Sequence, residues 1–238
     1  MNEKHIVASF DRDLEGIQAA VMKMGGLVEE ALRNAVSALE TRDMELAANV
    51  RVGDRVIDEM DLEIKTDAAK LLALRSPTAV DLRTVLSVMD ISSHLERCGD
   101  LAKNIAKRTL ATVEFQDISG TLSAARRMGN FVEIMIRDSL DAYIQRDVEK
   151  AREIIERDAE ADQIYNTLFR SLLTHMMEDH RNIAFGMHLH FIAKNIERVG
   201  DHATGIAEQA IYLVTGELPD DDRPKEDRTA LGHLDTTA

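Results

Sequence analysis

The chain has 238 residues, 45% of them apolar but only 4% aromatic, with three prolines and twelve glycines. That composition supplies a core, few helix breakers and many good helix formers, and it indicates an all-α protein. Its formal net charge of −14 and single cysteine, Cys98, argue against nucleic-acid binding and exclude an internal disulfide framework.

Met24, Leu27, Val28, Ala31, Leu32, Ala35 and Leu39 recur at three- and four-residue intervals and predict a first amphipathic helix. ETRDMEL (40–46) interrupts it, with Asp43 placed to cap the next helix. That second helix runs through Ala47, Val50, Ile57, Met60, Ile64, Ala68 and Leu71 to about residue 75. Ser76-Pro77 reads as a restart, serine as N-cap and proline in the first helical position. A third helix follows to about Val113, and EFQDISG (114–120) is the best linker, with Ser119 as a cap. No stretch approaches the 18 apolar residues of a membrane span, and MNEKHIVASFDRDLEGIQAA lacks the apolar run of a secretion signal. A cytoplasmic location is expected.

The pattern then repeats. MGGLVEEALRNAVSALETRD (24–43) aligns with MGNFVEIMIRDSLDAYIQRD (128–147) at an offset of 104, and GDRVIDEM (53–60) with RDAEADQI (157–164) at the same offset. Glu-Arg-x-Gly-Asp occurs twice, at 96–100 and 197–201, an offset of 101, so the second half is three residues shorter at its second helical junction. A repeat of this length is a duplicated supersecondary unit. The expected organisation is two similar three-helix bundles in tandem, residues 1–114 and 115–216. The polar, proline-punctuated segment 217–238 is expected to be disordered.

The repeated acids carry the chemistry. Folding the second and third helices as an antiparallel hairpin about Ser76 puts Asp54 and Asp58 22 and 18 residues before the turn, and Glu96 and Asp100 20 and 24 after it. At ~1.5 Å per residue the two pairs lie within ~3 Å in height. Asp158 and Asp162 face Glu197 and Asp201 in the same way about Asp179–His180. Four carboxylates can thus converge on one seam in each half. Such crowding raises carboxyl pKa values and invites a cation, and all-oxygen ligation suits Mg, Mn, Fe or Ca rather than zinc. The plain alternative is a solvated acidic face. Gly99 and Gly200, each costly within a helix, allow either close helix packing or an open carboxylate face. Arg97 and Arg198 are suited to steadying neighbouring carboxylates.

Other chemistries find little support. No histidine follows a glutamate at the Glu-x-x-His spacing of di-iron bundles, and phosphate-loop, nucleophile-elbow and dinucleotide fingerprints are absent. His94, His188, His190 and His202 have no counterparts in the other half and read as structural or surface residues. Cys98 is replaced by Val199 in the second copy and reads as a packed small residue.

SPTAVDLR (76–83), HLERCGDLAKNIAKR (94–108) and NIERVGDHATGIAEQ (195–209) together resemble the PhoU family of phosphate-transport regulators, over about residues 5–212. The resemblance implies paired three-helix bundles whose acidic motifs bind metal clusters in some members. Carried over, these are Asp54/Asp58, Glu96/Asp100, Asp158/Asp162 and Glu197/Asp201. It also implies a cytoplasmic negative regulator of phosphate uptake and of the phosphate-starvation response, linking the phosphate ABC transporter ATPase to a sensor histidine kinase, with a homodimer expected. One departure stands out. The family's Asn-Ile-Ala is present as Asn104-Ile105-Ala106 but appears in the second half as Gly205-Ile206-Ala207. The competing readings are a carboxylate-bridged metal hydrolase or oxidase, and a purely structural helical adaptor.

Overall fold

A computed structural model describes residues 3–75, 79–118 and 120–219, and these form no strand. Six long helices follow one another: α1 (Glu3–Thr41), α2 (Met44–Arg75), α3 (Ala79–Thr112), α4 (Thr121–Gln145), α5 (Val148–Glu178) and α6 (Ile183–Thr215). A single 3-10 turn, His180–Asn182, joins α5 to α6. The Ser76-Pro77 restart, the Ser119 cap and positions 220–238 of the tail lie outside the described residues.

Short-range chemistry sets the junctions. After α1, Arg42 takes a left-handed φ of 58° and Asp43 accepts the Leu46 amide at 2.9 Å. Arg146 (φ 55°) and Asp147, which accepts from the Lys150 amide at 3.0 Å, repeat that turn 104 positions on. An Arg-Asp pair therefore ends one helix and caps the next in both halves. The first helix begins about 20 residues before the Met24–Leu39 stripe, because Phe10, Ile17 and Val21 continue its buried face.

Within each half the second and third helices form a hairpin against the first. Between halves, α1 packs on α4 and α3 on α6, while α2 and α5 flank the core and do not meet among the described residues. The α1–α4 contact is reciprocal. A Cβ on Gly25 would lie 2.3 Å from Leu140 Cδ1, and one on Gly129 would lie 2.6 Å from Val36 Cγ1. Positions 25 and 129, like 36 and 140, are repeat mates, so each glycine receives its partner's aliphatic side chain. The ion pairs mirror too: Arg33–Glu133 at 2.8 Å and Arg137–Glu29 at 3.0 Å.

The halves differ at their hairpin ends. Helix α1 has 39 residues and α4 has 25. The extra turns of α1 bury Phe10 and border a groove of about 540 Å³ with Met60, Ile64 and Leu71 of α2. The second half keeps a matching groove of about 720 Å³ between α4 and α5, lined by Gly120, Thr121, Ala124, Ile164 and Leu168, while its inter-bundle linker packs across the start of α6. Ile118 is buried, Phe115 lies 5.9 Å from the His188 ring, and Arg42 donates to the Phe115 carbonyl at 2.8 Å while its guanidinium sits over Phe185.

Candidate metal centres on two acidic seams

In the first half, one turn of α2 brings Asp54 and Asp58 to the same face, opposite Glu96 and Asp100 on α3. Asp54, Asp58 and Asp100 each offer a carboxylate oxygen, all within 4.8 Å of one another. Asp54 lies deepest, 2% exposed, beneath Gly99, where an added Cβ would meet Ile57 at 3.1 Å and Asp54 Oδ1 at 3.3 Å. The glycine thus lets α2 and α3 close over Asp54, the close-packing alternative of the two. Burial pushes the Asp54 carboxyl upward; Lys103 opposes that shift, and Asp58 and Asp100 add to it. Glu96 stands half-buried at the rim, also pushed up by burial, held back by Arg97 and raised further by Asp100, Asp61 and Asp58.

Two participants here were not singled out from the sequence. Lys103 places Nζ 2.5 Å from Asp54 Oδ2 and 3.3 Å from Asp100 Oδ1. Asp61, one turn past Asp58, accepts the Ser92 hydroxyl and pairs with Lys65 at 2.7 Å. A lysine three residues after an aspartate looks like an ordinary surface pair; only the hairpin reveals that it spans two helices.

The second seam has the same plan with different contents. Glu197 and Asp162 are buried, while Asp158 and Asp201 are partly exposed. Asp158 lies under Gly200 as Asp54 lies under Gly99, though more loosely: the nearest atoms to an added Cβ, including Asp158 Oδ1, stand at 3.7 Å. Glu197 Oε1 accepts from Lys194 Nζ at 2.8 Å. Its carboxyl is pushed up to about 7, mainly by burial, with Lys194 opposing and Asp201 and Asp162 adding. At the position matching Lys103 stands Thr204, whose buried hydroxyl donates to the Gly200 carbonyl at 2.9 Å. Among the described residues, only the first seam gathers three carboxylate oxygens as closely as 4.8 Å.

Each seam also carries an unsatisfied oxygen. Asp54 Oδ1 and Glu197 Oε2 are buried without a hydrogen-bond partner. Leaving such a group orphaned costs roughly 1–3 kcal/mol, more when it is charged. A hard cation would satisfy these oxygens, and a donor set made wholly of carboxylates suits one. Arg97 approaches Glu96 at 3.5 Å and Asp100 at 3.9 Å, whereas Arg198 makes no such pair among the described residues.

Between the seams, α3 and α6 cross at a pair of histidines. His94 Nδ1 and His202 Nδ1 are 3.1 Å apart, so two rings without counterparts in the repeat meet one another. Burial, assisted by His94, Arg198 and Arg97, drives the His202 pKa down to about 4. A Cβ on Gly205 would fall 2.3 Å from His94 Cε1. That contact explains the departure noted in the second half: the asparagine of Asn104 has no room at position 205. Cys98 is buried with its thiol pushed strongly upward by burial and by Glu96, which makes it packing rather than a nucleophile.

A family model described as the PhoU domain matches this chain twice, over residues 21–109 and 125–210. The phosphate-specific transport system accessory protein PhoU homolog of Caulobacter vibrioides is 44% identical over 94% of this chain and 97% of its own length. The homolog of the same name from Rhizobium meliloti is 42% identical over 97% of each. The crystal structure of PhoU from Pseudomonas aeruginosa superposes with a TM-score of 0.84 at 36% identity, covering 87% of this chain and all of the other. That of the phosphate transport system regulatory protein PhoU from Streptococcus pneumoniae gives 0.81 at 33% identity, over 89% and 99%.

Proposed function

The chain belongs to the PhoU family, and from that membership we propose that it is a non-enzymatic accessory protein of a phosphate-specific transport system. It restrains phosphate uptake and the phosphate-starvation response by docking to the transporter ATPase and to a sensor histidine kinase in the cytoplasm. Docking favours one conformation of each partner through differential affinity. The observation that carries this reading is the near end-to-end match to relatives named as accessory proteins of phosphate-specific transport. No helix among the described residues is long and apolar enough to cross a membrane.

The seams supply the ion-binding part of the proposal. Asp54, Asp58 and Asp100, with Glu96 at the rim, would hold a hard divalent or iron ion in the first half. Glu197, Asp201, Asp158 and Asp162 would do so in the second. A bound cation neutralises clustered negative charge and fixes α2 against α3, and α5 against α6, presenting one shape to partners.

Deleting the gene is expected to switch phosphate-starvation genes on in phosphate-replete medium, and supplying the intact chain to restore repression. A chain with Glu96→Ala and Asp100→Ala is expected to restore it only in part. Full repression without the protein would overturn the regulatory reading; full rescue by the double variant would favour a structural adaptor that makes no use of the seams.

A further inference from the structure

We propose that Lys103 is a tethered stand-in for the metal in the first seam, a side-chain cation that an incoming ion must displace. The inference rests on the reading of that seam as a cation site. Its ammonium lies between carboxylates of two helices, 2.5 Å from Asp54 Oδ2 and 3.3 Å from Asp100 Oδ1. Both aspartates belong to the trio whose oxygens gather within 4.8 Å. A divalent ion bridging them needs oxygens at about 2.0–2.6 Å, and an ammonium cannot share that space with it. Sterics and like charge both require one to leave.

The side chain is built to leave. The Lys103 side chain is 40% exposed, on a flexible stem whose head can swing into water, whereas the Asp54 side chain is buried and stays. Meanwhile Asp54 Oδ1 remains buried without a partner even with Lys103 in place. The ammonium therefore offsets part of the seam's negative charge without saturating it, and leaves an acceptor for the stronger cation. Thr204 at the matching position of the second half turns back on its own helix, bonding the Gly200 carbonyl, and the lysine of that seam is Lys194, which pairs with Glu197 at 2.8 Å.

Two consequences are measurable. Removing the ammonium should tighten the first seam toward cations, because nothing then has to be displaced. In a chain whose second seam is silenced by Glu197→Gln and Asp201→Asn, Mn²⁺ binding is followed by electron paramagnetic resonance. Lys103→Met and Lys103→Thr are each expected to strengthen binding about fivefold or more, the equivalent of losing one charge-assisted bond to a half-exposed lysine. Independently, in the otherwise unaltered chain, Lys103 should react slowly with an amine-acylating reagent when stripped of metal and faster once Mn²⁺ is added, read by mass spectrometry of its peptide. Weaker or unchanged Mn²⁺ binding in both variants, or Lys103 acylation that does not rise with Mn²⁺, would overturn the displacement model while leaving the cation site standing. No Mn²⁺ bound by any form of the chain would overturn the cation site and this inference together.

Discussion

The two seams solve one electrostatic problem differently. In the first, an ammonium from Lys103 is set between Asp54 and Asp100 and supplies the missing positive charge. In the second, the matching residue is Thr204; Lys194 reaches Glu197 from one turn away on the same helix, yet burial still pushes that deep carboxyl up to about 7. One fold thus relieves crowded acids with a lysine spanning two helices in one half, and with a lysine from the same helix together with a more strongly raised carboxyl in the other. Repeated backbone geometry does not imply repeated charge state, because three or four side chains around the motif set the local balance.

The sharpest way to break the contrast is at Gly205. Gly205→Asn would restore the residue found at position 104, at the expense of a clash with the His94 ring. It is expected to cost about 2–3 kcal/mol in urea unfolding. Adding His94→Asn, the residue at the matching position 195, should recover most of that loss.

Next comes Glu197. Its carboxyl pKa is raised in the fold from the usual 4.5 to about 7. Its contribution to stability is therefore complete below about pH 4.5 and lost as pH rises through 7. Metal-stripped protein should lose stability between pH 5 and 8, and Glu197→Gln should recover roughly 2 kcal/mol at pH 8. Thermal melts across that range check both.

The smallest effect compares the two motif glycines. Gly200 has ordinary contact distances around an added Cβ, so Gly200→Ala should gain up to about 1 kcal/mol from helix propensity. Gly99 is tighter, with Ile57 at 3.1 Å and Asp54 Oδ1 at 3.3 Å, so Gly99→Ala should lose that advantage and become neutral or destabilising. Equal gains at both would show that the seams are packed alike.

Much of the fold was legible because it is local. The Met24–Leu39 stripe, the Asp43 cap and the antiparallel register that brings Asp54 and Asp58 opposite Asp100 all follow from helical period and residue counting. The start of α1 was not read from the sequence, because Phe10, Ile17 and Val21 continue the stripe only sparsely before Met24. Contacts between halves were harder to see. Gly25 and Gly129 repeat at the 104-residue offset, as do Glu29/Arg33 and Glu133/Arg137, yet their meaning depends on α1 facing α4. The His94–His202 contact joins residues 108 apart that no periodicity connects. Lys103 was hidden by its ordinariness, one charged residue on a charged helix.

The reciprocal α1–α4 contact gives the molecule the plan of a symmetric dimer sewn into a single polypeptide. When two identical subunits meet, every substitution lands on both sides of the axis at once, and a ring large enough to need an empty place opposite would have to vacate its own mate's place too. A covalent tether lifts that rule. Here one copy holds a histidine where the other has an asparagine, and a lysine where the other has a threonine, so the two sites are free to answer to different conditions.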